Sequence, residues 1–227
     1  MVVAGLWPGY TRLMSLSRST SAPGLRLERR LLRQGYTRIA GLDEVGRGSW
    51  AGPVVAAAVV LPLNNRRAIA RLSGVRDSKQ LTAEQRATLA HTIAEVALSI
   101  GIGSASHHVV DRDGLSFANR RALLRAAANL PIAPDALLID FFKLPESDLP
   151  QVCLPKGDSY SLSIAAASII AKTVRDRWMS KWEARYPGYG FASHKGYGTR
   201  AHRAAIARLG LSQMHRTSYR LIQDEEQ

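Results

Sequence analysis

Residues 36–62 read "YTRIAGLDEVGRGSWAGPVVAAAVVLP". Two apolar runs, 36–43 and 53–62, flank a glycine-rich turn, and each has the length and content of a buried β-strand. Asp43 and Glu44 stand where the first run enters the turn, two residues before Gly46-Arg47-Gly48. Two nucleotide motifs nearly fit. Gly41 to Gly46 spaces like the first half of a P-loop, but Arg47 and Gly48 replace the lysine and the Ser/Thr that motif requires. Gly46 to Ala51 spaces like a dinucleotide turn, yet a strand-like run follows it where a helix is needed. Both also fail on charge, because two carboxylates would face the phosphate. That repulsion is relieved only if cations intervene.

The surrounding chain reads as one α/β unit. Residues 26–35 pair leucines with basic residues at helical spacing and end in Gly35, so a helix precedes the first strand. Residues 77–97 contain a helix whose N-cap is Thr82, with Gln85 completing a capping box. A strand is expected over 98–106, an alanine-rich helix over 114–130, and apolar strands over 135–142 and 150–155. A long helix over 163–186 carries Trp178 and Trp182 as one packing stripe. The order β-β-α-β-α-β-β-α calls for a single α/β domain with a mixed sheet and a helical C-terminal tail.

Composition limits the function classes. The chain has 227 residues, 46% hydrophobic, enough for one substantial core. No apolar run approaches the ~18–20 residues of a membrane helix. The single cysteine, Cys153, lies in apolar "VCLP" and is expected to be a buried thiol in a reducing cytoplasm. Residues 1–22 match no element pattern and are expected to be a disordered extension, leaving 23–227 as the folded domain. The net charge is +13, and residues 186–223 contain no Asp or Glu. Such a surplus suits a polyanion, nucleic acid before membrane, although a solvated basic surface would look the same.

Two further acids join the opening pair. Asp140 ends the strand "ALLID", and Asp158 follows "PKG" and opens the long helix. Alone, Asp158 reads as a helix cap and Asp140 as a turn acid. Together with "DEVGRG", four oxygen ligands at element ends suit hard Mg²⁺ or Mn²⁺. The six histidines lack zinc spacing, and His194 and His202 read as surface or phosphate-contacting residues. No Ser/His/Asp or Cys/His nucleophile set is evident.

Taken in order, "IAGLDEVGRGSWAGPVVAAAVVLP", "DSKQL", "LLID", "KGDSYSLSIAAASIIAKTVRD" and "YGFASHKGYGT" resemble bacterial ribonuclease HII, over about 23–219. The resemblance implies an RNase H-like fold, a five-stranded mixed sheet flanked by helices with a helical C-terminal segment. It implies that Asp43, Glu44, Asp140 and Asp158 are both the catalytic acids and the ligands of two divalent ions, Mg²⁺ or Mn²⁺. It assigns Gly46, Arg47 and Gly48 to the substrate backbone and the 2′-hydroxyl, Lys79 to a phosphate, and Tyr197 to stacking at the junction base pair. Gln80 and Ser49 stand where the family commonly has lysine and proline. The expected protein is a cytoplasmic, monomeric, metal-dependent endoribonuclease. Its expected substrates are RNA–DNA hybrids and duplex DNA carrying single ribonucleotides, cut to 5′-phosphate and 3′-hydroxyl ends. A basic binding protein without catalysis, or a DNA nuclease on the same fold, would share parts of this pattern.

Overall fold

The sheet runs β3-β2-β1-β4-β5 and is mixed. In the computed structural model, which describes residues 22–219, β1 (Ile39–Val45), β2 (Val54–Val60) and β3 (Ser99–Ala105) form antiparallel neighbours. Then β4 (Ala136–Asp140) lies parallel to β1, and β5 (Gln151–Leu154) parallel to β4. The "DEVGRG" turn is thus the hairpin connection between the two central antiparallel strands. The expected extension over 1–22 lies, apart from Ala22, outside the described residues.

Helices cover both faces. α1 (Arg26–Arg33) precedes β1, while the short α2 (Arg66–Ala70) and then α3 (Ala83–Val96) separate β2 from β3. α4 (His107–Asp113) and α5 (Leu115–Ala128) separate β3 from β4, so the single helix expected over 114–130 is preceded by a separate one. Gly114, at φ 84°, makes the break between them. Thr82 and Gln85 form the capping box on α3. The long helix, α6 (Leu162–Arg185), lies across β1 and β2 on one face, and α5 lies across β2 and β3 on the other. α7 (Phe191–His194) and α8 (Arg200–Leu209) complete the chain's helices among the described residues.

Strand alternation sorts the core into two layers. Ala40 and Leu42 join Ala118, Ala122 and Leu123 of α5, whereas Ala57 and Val59 join Ala165, Ile169 and Ile93 on the α6 side. Gly41 is what lets α6 lie so near the sheet. A Cβ there would sit 2.1 Å from the Ser163 carbonyl carbon, so any larger residue would push the helix away. The N-terminus of α6 is held by Ser161, whose hydroxyl accepts from Ile164 N–H, and by the buried Glu28 of α1. Glu28 Oε1 accepts from the Ser161 hydroxyl at 2.7 Å and from Ser163 N–H at 3.0 Å.

Two expectations need correction. Asp158 does not open α6: it sits in a separate 3₁₀ turn, Gly157–Ser159, and Ser161 is the cap. Cys153 is only half-buried, because β5 is the sheet's edge strand. Of the two tryptophans, Trp182 packs with Tyr186 on a separate small core built on Ala51, Met179, Tyr189, Phe191, Ala205 and Met214. That second core belongs to the C-terminal segment, which folds back on the hairpin turn.

Candidate active site

Asp43 and Asp140 are the residues immediately beyond the last β1–β4 pair, Leu42 and Ile139. They therefore lie side by side at the same end of two parallel strands, where an α/β sheet habitually carries its site. Side-chain alternation turns Asp43 toward α6, near Ser168, and its neighbour Glu44 toward α5, near Asn119. Two adjacent acids thus straddle the edge of the sheet instead of sharing one face. Asp140 is oriented by Gly157 N–H, which donates to Oδ1 at 2.8 Å. Asp158 follows that same glycine, so the β5–α6 turn positions two of the four acids.

Burial and mutual repulsion act together on this group. Burial first, then the charges of Glu44, Asp140 and Asp158, hold the Asp43 carboxyl well above its ordinary range. Burial likewise lifts Glu44 to about 7, with Arg47 pulling the other way and Asp140 adding to the rise. Asp158 is lifted to about 6 by burial and by the charges of Asp77 and Asp140, with Lys79 opposing. Asp140 is raised less, mainly by burial, because Gly157 N–H and the charge of Lys79 offset it. Glu44 Oε2 is buried without a hydrogen-bond partner, as are both amide atoms of Asn119 beside it. Leaving such atoms unpaired costs on the order of 1–3 kcal/mol each.

Among the described residues no three His, Cys, Asp or Glu side chains are already arranged to hold a metal ion. The four acids are electrostatic neighbours, not a finished cage. Even so, they fit a hard divalent cation. Every donor is an oxygen, one buried oxygen is orphaned, and the proton affinities are raised as they would be where a cation is wanted.

The turn itself is gripped from below by two arginines that sequence reasoning missed. Both Arg175 of α6 and Arg216 are fully buried. Arg175 donates to the carbonyls of Pro53, Ala51 and Lys195 at 3.0, 3.1 and 2.9 Å, and to the Ser49 hydroxyl at 2.8 Å. Arg216 donates to the carbonyls of Gly46 at 2.6 Å, Arg47 at 2.7 Å and Gly52 at 2.9 Å. The carbonyl oxygens of Gly46, Arg47, Ala51 and Gly52 are therefore drawn onto buried guanidinium groups. One signal was available: Arg175 falls four residues after Ala171 and four before Met179, on the buried face of α6.

The expected substrate contacts divide accordingly. Gly48 is exposed and Arg47 half-exposed, whereas Gly46 is buried. At φ 92° a Cβ on Gly46 would meet Arg175 Nε at 2.2 Å, so its glycine serves the support beneath the turn. Arg47 reaches back to Glu44 at 3.6 Å, with its guanidinium 4.4 Å from the centre of the Phe142 ring. Lys79, exposed on the 3₁₀ turn Ser78–Gln80, feels the charges of Asp77, Asp158, Asp43 and Asp140, which outweigh partial burial and raise its pKa.

Tyr197 is brought to the same place by pairing. Ser49 and Tyr197 form an antiparallel bridge, and Trp50 N–H donates to the Gly196 carbonyl at 2.7 Å. The Tyr197 ring lies 5.7 Å from Lys172 Nζ and 5.5 Å from the Arg175 guanidinium. His194 and His202, expected at the surface, are structural instead. His202 is fully buried, and its ring stacks on that of half-buried His194 at 4.2 Å, because the second core needs flat, hydrogen-bonding side chains under the Tyr197 loop.

Comparison with known proteins bears on the family and the fold. A family model described as Ribonuclease HII matches residues 40–222. Ribonuclease HII of Herpetosiphon aurantiacus is 49% identical over 87% of this chain and 95% of its own. Ribonuclease HII of Syntrophotalea carbinolica is 50% identical over 93% and 99%, respectively. Among solved structures, ribonuclease H2 from Pyrococcus horikoshii superposes with a TM-score of 0.68 at 24% identity, covering 82% of this chain and 95% of that one. Bst-RNase HIII in complex with Mn²⁺ gives a TM-score of 0.60 at 30% identity, covering 75% and 61%.

Proposed function

The chain belongs to the ribonuclease HII family and is a nuclease, and from that premise we propose that it hydrolyses the RNA strand of RNA–DNA hybrids and cuts at single ribonucleotides embedded in duplex DNA. The observation that carries this reading is the meeting of the acid cluster with a turn in which the carbonyls of Gly46, Arg47, Ala51 and Gly52 are engaged by buried arginines. A phosphodiester laid on that turn meets no carbonyl oxygen of Gly46, Arg47, Ala51 or Gly52, and its phosphate is led toward Asp43, Glu44, Asp140 and Asp158.

In this reading the four acids hold two divalent ions, Mg²⁺ or Mn²⁺. Such ions, when bound, supply charge neutralisation, an activated water and a stabilised leaving oxygen. The protein's own groups do the rest. Asp43 and Asp140 come from rigid strand ends and set the position of the scissile phosphate. Lys79 holds a neighbouring phosphate as a point charge. Arg47 and Gly48 approach the sugar closely enough to sense a 2′-hydroxyl, the group by which a protein tells RNA from DNA. Tyr197 stacks at the junction between ribonucleotide and deoxyribonucleotide. The products carry 5′-phosphate and 3′-hydroxyl ends. We read residues 23–227 as one catalytic domain acting as a cytoplasmic monomer. Unpaired Cys153 suits a reducing compartment, and no helix among the described residues is long and apolar enough to cross a membrane.

The test is a cleavage panel of all-DNA duplex, RNA–DNA hybrid and DNA with one ribonucleotide, each in Mg²⁺, Mn²⁺ and chelator. Cleavage of the latter two substrates, in metal only, is expected. Cutting of all-DNA duplex would make it a DNA nuclease, and binding without cutting in any metal would make it a binding protein.

A further inference from the structure

The polar contacts beneath Tyr197 form a directed chain. Ser212 N–H lies 2.8 Å from His215 Nδ1, His215 Nε2 lies 3.1 Å from His202 Nε2, and His202 Nδ1 lies 3.0 Å from the Tyr197 carbonyl. Both rings are essentially excluded from solvent. The two ends of this chain are chemically fixed: a backbone N–H only donates, and a carbonyl oxygen only accepts. A lone pair on His215 Nδ1 is therefore required, which leaves the proton on its Nε2. That proton needs a bare Nε2 on His202, which leaves the proton on His202 Nδ1, facing the Tyr197 oxygen. Read from the other end, the Tyr197 carbonyl demands the same assignment.

The opposite pair of tautomers fails at both ends. It would set His215 Nδ1–H against Ser212 N–H, and a bare His202 Nδ1 against a carbonyl oxygen. The Ser212 carbonyl, 3.2 Å from His215 Nδ1, accepts from His215 N–H at 3.1 Å, and the Ser212 hydroxyl lies 2.9 Å from Nδ1, but neither relieves the opposition to Ser212 N–H at 2.8 Å that a proton on Nδ1 would create. A proton added to His202 would place two N–H groups head to head across the 3.1 Å contact, and one added to His215 would set Nδ1–H against Ser212 N–H. Burial also disfavours it, pushing His202 down to about 4 and His215 below its usual range.

We propose that His202 is a positioning residue for Tyr197, its tautomer dictated by His215 and Ser212. This rests on the reading of Tyr197 as the junction-stacking group. The Tyr197 backbone is pinned on both sides, its N–H donating to the His194 carbonyl at 3.0 Å and its C=O accepting from Thr199 N–H at 2.8 Å and from His202. Tyr197 also bridges Ser49, at the other end of whose turn lies Gly46. The chain from Ser212 therefore sets where the stacking ring stands relative to the turn that approaches the 2′-hydroxyl. Neither histidine touches substrate in this scheme.

Two side-chain swaps separate positioning from bulk packing. His202→Asn puts an amide NH₂ where Nδ1–H was, whereas His202→Gln places its amide at the Nε2 end and abandons the Tyr197 carbonyl. Losing one hydrogen bond of ~1 kcal/mol corresponds to about fivefold. So H202Q should lose about fivefold in kcat/KM on single-ribonucleotide DNA, carried mainly by KM, and lose less on long hybrid. H202N should retain most of the preference, and H202Q should add nothing once Tyr197→Ala is present. Equal losses by H202N and H202Q on both substrates would reduce His202 to packing and overturn the proposal. Imidazole ¹⁵N shifts of the full-length protein at pH 7 test the chain without any activity. One ring protonated only on Nδ1 and one only on Nε2 are expected, assigned through loss of signals in H202Q and His215→Gln. Matching tautomers or a charged ring would refute it. If Tyr197→Ala leaves the single-ribonucleotide preference intact while the ¹⁵N pattern holds, the stacking role is what fails, and with it the positioning role.

Discussion

Two polar clusters meet at the β1–β2 turn, and they are built to opposite rules. On the acid side, four carboxylates crowd the ends of β1, β4 and the turn after β5, with raised proton affinities and a buried oxygen on Glu44 left without a partner. On the basic side, Arg175, Arg216, His202 and His215 are more deeply buried, yet carbonyls engage the arginines and the two histidines engage each other. The first cluster keeps repelling charges and an unpaired oxygen in the free protein. The second is complete in the free protein. The contrast sets an electrostatically unsatisfied cluster beside a scaffold whose polar groups are paired.

The largest effect should come from the acid side. Asp43→Asn should reduce cleavage to background, yet in chelator it should melt at or above the wild-type temperature, because it removes one repelling charge. A divalent ion that binds only the folded state raises stability by mass action, so the variant should also gain less from added Mg²⁺ or Mn²⁺. A variant that melts well below wild type in chelator and still cuts would make Asp43 a structural acid and erase the contrast.

Removing a member of the satisfied cluster should do the reverse. Arg175→Met takes the guanidinium donor from the carbonyls of Pro53 and Lys195 and leaves Ala51 only the Ser49 hydroxyl, at about 3–5 kcal/mol, since each buried acceptor left unsatisfied costs about 1–3 kcal/mol. Denaturant unfolding should show that loss with or without metal. An Arg175→Met protein as stable as wild type would mean water replaces the guanidinium, and the scaffold would not be the rigid half.

The pH dependence of stability should have opposite signs on the two sides. Glu44 titrates at about 7 when folded, against 4.5 ordinarily. Its favourable contribution is present below 4.5 and disappears as pH rises through 7. Glu44→Gln in chelator should therefore gain on wild type across that window, by on the order of 1–3 kcal/mol. His202 titrates at about 4 when folded, against 6.5 ordinarily. Its contribution is present above 6.5 and disappears as pH falls through 4, so the deficit of His202→Gln should shrink toward acid. Melts from pH 4 to 8 test both, and parallel curves would remove the distinction.

The smallest effect belongs to the surface where the clusters meet. Tyr197→Ala should cost about tenfold on single-ribonucleotide DNA, by comparison with base–aromatic stacking worth ~1–3 kcal/mol, and less on long hybrids. Competition kinetics with both substrates in one tube would expose the difference directly.

Much of this was legible along the chain. The strands 36–43 and 53–62, the capping box at Thr82 and Gln85, the acid ending "ALLID" and the glycines of the turn all announce themselves through nearest-neighbour patterns, since strand alternation, caps and turns are local physics. The family resemblance, too, rests on runs of adjacent residues. What the chain did not reveal is everything set by partners far away in sequence. Arg216 looks like any surface arginine, and the helical spacing of Arg175 hints only at burial, until carbonyls more than 120 positions distant close around them. The pairing of His202 with His215 and the burial of both depend on a second core folding beneath the hairpin. Nor could sequence tell that Asp43 stands beside Asp140, because that follows from the parallel register of β1 on β4. Local chemistry names the groups that do the work; only the closure of long-range contacts, which alone removes water from a buried charge, decides which of them are satisfied and which are left waiting.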